Sequence, residues 1–140
     1  MTISRCDGMP VVRIVAAVVT DPTGRVLLVR KRGTVNFMLP GGKLAAGEDA
    51  VTALERELRE ELGCGLNSAP VEIGTFRAPA ANEPGHLVEA RIFASSIAIE
   101  PVASFEIDEL AWRDSEADAP YPLAPLARDH ILPLIRRKAA

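Results

Sequence analysis

The chain has 140 residues, 48% of them hydrophobic and 25% charged, which is enough for one domain spanning 1–140 with its own core and no composition break to divide it. A formal net charge of −3 and a pI near 5.4 give no support for an overall basic surface that would bind long DNA or RNA. No apolar run reaches the about 18 residues needed to span a bilayer, and the start MTISRCDGMPVVR lacks the pattern of a secretory leader, so the expected compartment is the cytoplasm, with no membrane partner.

In chain order, RIVAAVVT (13–20) and RVLLVR (25–30) are β-branched apolar runs separated by DPTG. Pro22 presets φ there and Gly24 tolerates a positive φ, so the pair predicts a β-hairpin. A run of three basic residues, Arg30, Lys31 and Arg32, follows the second strand; Arg30 and Arg32 are candidates for holding substrate phosphates, against the plainer reading of a solvated strand end. LPGGKLAAGE (39–48) then sets three glycines before a glutamate-rich segment, a composition that packs poorly and suits either a simple turn or close approach of backbone to a ligand.

Residues Asp49 to Leu62 predict a helix, with Val51, Leu54, Leu58 and Leu62 as a buried stripe and Gly63 as its stop. Strands are expected at 71–77, 86–94 and 109–113, with proline- and glycine-bearing loops between them. PLARDHILPLIRRK predicts a last helix that opens near Pro125 and is bent or broken at Pro133. The order suggests a mixed sheet with helices on its faces. Cys6 and Cys64 are too few and too far apart for a disulfide framework or a zinc site, and His86 and His130 have no partner at metal-ligand spacing. Phe37, Phe76, Trp112 and Tyr121 are the aromatic residues available to line a pocket or stack on a base.

The helix carries the chemistry. At about 100° per residue, Glu57, Glu60 and Glu61 fall on one flank beside the apolar stripe, near the negative end of the helix dipole. Arg56 can reach Glu60 and Glu55 can reach Arg59, but Glu57 and Glu61 repel across one turn without a helical partner. A divalent cation would supply the missing charge, and hard carboxylate oxygens favour Mg2+ or Mn2+ over zinc. The competing reading is a solvated acidic face. The exposed backbone of Gly41 and Gly42, just before this helix, tips the balance towards a site that binds a metal or the phosphates it carries.

The stretch GKLAAGEDAVTALERELREELGC, Gly42 to Cys64, resembles the signature box of the Nudix (MutT-like) hydrolases: G, five residues, E, seven residues, then R-E-aliphatic-x-E-E-x-G-aliphatic. Gly42, Glu48, Arg56, Glu57, Leu58, Glu60, Glu61 and Gly63 all stand in their places, and Cys64 replaces the last aliphatic residue. RIVAAVVTDPTGRVLLVRKR and EIDELAW also resemble the strands that flank the box in this family.

The resemblance implies an α/β (α+β) fold, an α/β/α sandwich around a mixed sheet with a loop-helix-loop box. It further implies divalent-metal-dependent attack of water at phosphorus in a nucleoside diphosphate linked to another group, such as a nucleoside triphosphate, a nucleotide sugar or ADP-ribose. On the same basis Glu57, Glu60 and Glu61, with the Gly41 carbonyl, are expected metal ligands; Glu48 and Arg56 fix loop to helix; and Gly42 lets backbone approach the substrate. The catalytic base is expected to be Glu57 or, from outside the box, Glu106. A homodimer is the assembly expected from the family, and a non-catalytic nucleotide-binding module is the alternative to an enzyme.

Overall fold

The computed structural model describes residues 3–6, 8–97, 99–114 and 120–139. Along them run strands β1 (Ile3–Cys6), β2 (Met9–Val19), β3 (Val26–Lys31) and β4 (Gly41–Lys43), then helix α1 (Ala50–Leu62). Strands β5 (Val71–Pro79), β6 (Leu87–Ser95) and β7 (Ile107–Arg113) follow. The last helix opens as a π-helical turn over Leu126–Ile131 and continues as α2 (Leu132–Ala139).

Strand β2 is the axis of the sheet. It pairs in parallel with β6 along Val11–Val19, while β1 and β4 share its other edge in antiparallel register; β5 closes the far side of β6. The sheet is therefore mixed. From Val11 to Val19 β2 is apolar except at Arg13, as a strand covered on both faces must be. Val15, Ala17 and Val19 pack with Ala50, Ala53, Leu54, Leu58 and Leu62 of α1. Ala16 and Val18 pack on the opposite face with Leu126, Ile131 and Leu132. The period-two alternation of one strand thus splits the core into two layers and gives the α/β/α sandwich.

The helix has the termini its sequence suggests. The Asp49 carboxylate accepts from the Thr52 N–H at 3.1 Å, and Gly63 takes φ +69° with its N–H on the Arg59 carbonyl at 3.1 Å. Its buried stripe differs from expectation in one member: Val51 is 39% exposed, and Ala50 and Ala53 take the core positions. Small residues there let the helix lie close on β2, while Val51 points to the side.

Two other expectations need correction. The Asp21–Gly24 turn forms, with Thr20 and Val26 bridged across it, but β2 and β3 do not continue as a hairpin. Both edges of β2 are already taken, so β3 diverges and pairs with β7 in a separate two-stranded sheet. The fully buried run Val26–Val29 sends Leu27 and Val29 to the α1 layer and Val26 and Leu28 to the other. Pro133 likewise does not break the last helix. The π-helical turn ends with the Leu132 N–H bonded to the Ala127 carbonyl, and Pro133 falls in the first turn of α2, where a missing N–H costs little.

The stripe can be checked by stability measurements. Leu58→Ala should cost about 2–5 kcal/mol, because a fully buried side chain is removed, whereas Val51→Ala should change stability by no more than about 0.5 kcal/mol. Urea unfolding of both variants measures the difference; comparable losses would mean that Val51 belongs to the core.

Candidate active site

The site begins where the glycine loop docks on the central strand. Gly41–Lys43 pair with Ile14–Ala16, and the pairing is flanked by Ala17 N–H on the Pro40 carbonyl at 2.9 Å and Leu44 N–H on the Arg13 carbonyl at 3.0 Å. Gly41 has φ +151°, and a Cβ there would run into the Val15 carbonyl oxygen and come within 2.7 Å of Ala16 Cα. Gly42 is constrained from the other side: a Cβ would lie 2.5 and 2.6 Å from the two carboxylate oxygens of Glu57. Neither position has room for a methyl group, so the loop backbone lies tightly beside β2 and against the Glu57 side chain of α1.

Arg56 ties the loop to the helix. Its guanidinium donates to both oxygens of Glu48, at 3.0 and 2.9 Å, and to Glu57 Oε1 at 2.8 Å, with the Lys43 carbonyl at 3.4 Å and Glu60 Oε2 at 3.7 Å. Glu48 also accepts from the Ala45 N–H at 3.1 Å. The fork geometry of a guanidinium suits this work, since one planar group reaches several carboxylate oxygens in fixed directions. The Arg56 hydrogen bond and the Ala45 N–H hold the Glu48 carboxyl below its ordinary value.

Glu61 is the buried charge of the site, at 1% exposure among the core side chains. Its Oε1 accepts from the Gly41 N–H at 3.1 Å and its Oε2 lies 3.5 Å from the Lys31 ammonium, which also reaches the Gly41 carbonyl at 3.4 Å. Burial pushes the Glu61 carboxyl up to about 7, although Lys31 and the Gly41 N–H pull it down.

The convergence read from the helix flank is partial: Glu57 and Glu60 share the Arg56 guanidinium, whereas Glu61 turns inward to Gly41 and Lys31. Among the described residues, no three acidic, histidine or cysteine side chains are grouped as a metal cluster. The donor chemistry nevertheless fits a hard divalent cation. Glu57 Oε2 has no hydrogen-bond partner among the described residues, and the Gly41 carbonyl and Glu61 already share one positive charge, the Lys31 ammonium.

The remaining expected residues are placed as follows. Arg30 turns to the Thr34 carbonyl at 3.0 Å, to Asp108 at 3.4 Å and to Glu109 at 3.0 Å. Arg32 donates to the Phe105 carbonyl at 2.9 Å and covers the Phe105 ring at 3.9 Å. Glu106 is exposed at the entry to β7. Of the basic run it is Lys31 that faces the glycine loop, because the alternation of β3 puts it on the same face as Leu27 and Val29. The aromatic candidates pack elsewhere: Phe37 against Tyr121 at 4.1 Å, Phe76 near His130, and Trp112 against the α1 core.

A cleft of about 680 Å3, counted to its open mouth, starts at Lys31, Gly41, Gly42 and Lys43. Its walls are apolar, with Ile14, Leu39, Val88 and Leu126 among them, and its other polar side chains are Asn82 and Glu83 of the β5–β6 loop. Lys43, Asn82 and Glu83 line the cleft and were not singled out from the sequence, although the loop 79–86 that holds the last two is where substrate recognition was expected without a readable code. Lys43 lies inside the box and was findable there; the other two carry no sequence signal.

A family model, the NUDIX domain, matches residues 10–134. An RNA pyrophosphohydrolase of Halorhodospira halophila (strain DSM 244 / SL1) is 43% identical over 77 residues, which are 55% of this chain and 42% of that protein. A Bacillus subtilis (strain 168) protein provisionally named an 8-oxo-dGTP diphosphatase is 34% identical over 71 residues, 50% of this chain and 46% of that protein. The matches thus span less than half the length of either relative. The solution structure of the E. coli ORF135 protein superposes with a TM-score of 0.74 at 25% identity, covering 98% of this chain and 96% of that one.

The buried carboxylate makes stability depend on pH. The folded Glu61 carboxyl titrates near 7 against an ordinary 4.5, so between these values the folded state keeps a proton that the unfolded state releases. Its contribution is full below about pH 4.5 and is lost as pH rises through 7. Glu61→Gln keeps the shape and removes the titration. In chelator the variant should match wild type near pH 4.5 and exceed it above pH 7 by about 3 kcal/mol, measured by denaturant unfolding across the pH range. Parallel pH profiles would overturn this account of Glu61.

Proposed function

The chain belongs to the Nudix family, and on that premise we propose that it is a divalent-metal-dependent pyrophosphohydrolase that cleaves a nucleoside diphosphate linked to another group by attack of water at phosphorus. The observation that carries this reading is that the box begins at the mouth of the cleft: its Gly42 and Lys43, with Gly41 just before them, line the opening, and the Glu57 carboxylate is packed against Gly42 behind them. The names of the two curated relatives, one concerning RNA and one 8-oxo-dGTP, support a nucleotide as the substrate.

In this reading Glu57, Glu60 and Glu61, with the Gly41 carbonyl, hold Mg2+ or Mn2+. Bound there, the cation supplies charge neutralisation to the pyrophosphate oxygens, which is what phosphoryl transfer chiefly requires. The chain's own residues do the rest. Gly42 lets the phosphates come close to backbone, and Lys43, exposed at the mouth, adds positive charge where they enter. Arg56 holds the Glu48 loop and the Glu57 carboxylate in one frame, so that Glu57 Oε2 is aimed while Oε1 is occupied. Glu57 is the first candidate for taking the proton of the attacking water, and Glu106 the second, from the exposed entry to β7. Lys31 neutralises Glu61 from the substrate side and stands close enough to meet a phosphate oxygen. A non-catalytic nucleotide-binding module remains the alternative, and the full set of box charges favours the enzyme, because binding alone does not require three carboxylates on one flank.

A phosphate-release screen over nucleoside triphosphates, nucleotide sugars and ADP-ribose, with Mg2+ and Mn2+, tests the proposal. Activity should vanish after exhaustive chelation and return with either metal; turnover that survives chelation would sink the metal role, and silence across the panel would favour the binding module. Gly42→Val should lower turnover on the order of a hundredfold, because its side chain would displace Glu57 and push the loop from the phosphates. Unchanged turnover would show that no close approach exists.

A further inference from the structure

Lys31 faces two oxygens that are also proposed for the metal. Its ammonium lies 3.4 Å from the Gly41 carbonyl oxygen and 3.5 Å from Glu61 Oε2, and its side chain lines the cleft as well. A charge-assisted hydrogen bond runs at about 2.7–2.9 Å, so the ammonium is held there by charge rather than by a tight directional bond. The oxygens themselves are fixed. Glu61 Oε1 accepts from the Gly41 N–H at 3.1 Å, and Gly41 is paired with Ala16 of β2. Lys31, on a flexible four-carbon stem, is the partner that can move. Arg30 and Arg32 cannot take its place, since the first is engaged by Asp108 and Glu109 and the second by the Phe105 carbonyl and ring.

A divalent cation seated on the Gly41 carbonyl and Glu61 would stand within a few ångströms of that ammonium. Glu61 is shielded from water, so a double and a single positive charge at such a separation repel strongly. The two cations exclude each other. Resting on the metal-dependent reading of the site, we propose that Lys31 is an exchangeable counter-ion: its ammonium holds the Gly41 carbonyl and Glu61 until a divalent cation takes these oxygens, and then turns into the cleft to meet the phosphates of the substrate. Two consequences follow from the exchange. The lysine weakens metal binding, because the incoming ion must displace it. It also couples metal to diphosphate, because each ion bound releases one ammonium for the phosphates, and the coupling acts equally in both directions. Without metal, the lysine supports the fold by facing a buried carboxylate.

The test measures Mn2+ binding by calorimetry, without nucleotide, in wild type, Lys31→Met and Lys43→Met; the last removes an equal charge from the same cleft. Lys31→Met should bind Mn2+ about tenfold more tightly than wild type, within the usual range of coupling between two binding events. Lys43→Met should differ by no more than about twofold, because an exposed charge is screened. In chelator Lys31→Met should unfold at a lower temperature than wild type, and saturating Mn2+ should close most of the gap, since one cation replaces the other. Should that variant not fold, Lys31→Gln, which keeps a donor for the Gly41 carbonyl and removes the charge, carries the same expectations. With Mn2+ saturating, imidodiphosphate, a diphosphate that resists hydrolysis, should bind Lys31→Met about tenfold more weakly than wild type, the effect of losing one hydrogen bond to a charged group. Equal or weaker Mn2+ binding by the Lys31 variant, or a stability gap that Mn2+ leaves unchanged, would overturn the exchange, make Lys31 a permanent partner of Glu61 and leave the enzyme assignment intact. Equal imidodiphosphate affinity would overturn the turn into the cleft. No Mn2+ binding by any of these proteins would sink the metal-dependent reading itself, and the exchange with it.

Discussion

The site depends on a close approach that only glycine permits. Gly41 lies against the Val15 carbonyl and Ala16, Gly42 against the Glu57 carboxylate, and the two together let the loop backbone pair with the edge of the central strand while touching α1. A side chain at either position would lift the loop from β2 or move Glu57, and the remaining geometry would follow. The Gly41 N–H would leave Glu61, Lys31 would lose the Gly41 carbonyl, and the short β4 pairing that brings Lys43 to the cleft would be strained.

Around this approach the charges are arranged at an energetic cost. Arg56 gathers Glu48 and Glu57, and Lys31 faces Glu61, so three of the box's carboxylates are partly neutralised by the chain itself. Glu61 pays most, since water is excluded from it and two partners do not fully offset the desolvation. A core leucine would serve the fold better at that position. A carboxylate held there with a carbonyl and an ammonium beside it is costly to the fold, and strained electrostatics of this kind tend to gather at functional sites.

The layered fold explains why this place opens outward. β2 supplies both the floor of the α1 core, through Val15, and the wall of the cleft, through Ile14 and Ala16. The residues of β4 thus stand at the boundary between the two core layers, with Glu57 and Glu61 behind them and the last helix, through Leu126 and Ala127, closing the cleft from the other layer. No helix among the described residues is long and apolar enough to cross a membrane.

Much of this was written locally and could be read locally. Helix α1 declared itself by its apolar spacing, the Asp49 and Gly63 termini and the charged flank, because these depend on residues within a few turns of each other. The box could be recognised for the same reason: its glycines and carboxylates stand at fixed spacing along one segment. Tertiary structure decided what depends on distant partners. The Asp21–Gly24 turn was visible, but not that occupied edges of β2 would send β3 to β7. The basic run was visible, but that the loop carrying Gly41 would dock beside Lys31 rather than its neighbours depends on where that loop pairs with β2. The acidic flank was visible, but not that Glu61 would be buried under the loop with the Gly41 N–H and Lys31 as its partners. That Asn82 and Glu83 line the cleft could not be read from the β5–β6 loop itself, because the facing wall is assembled from strands and a helix far away in the chain.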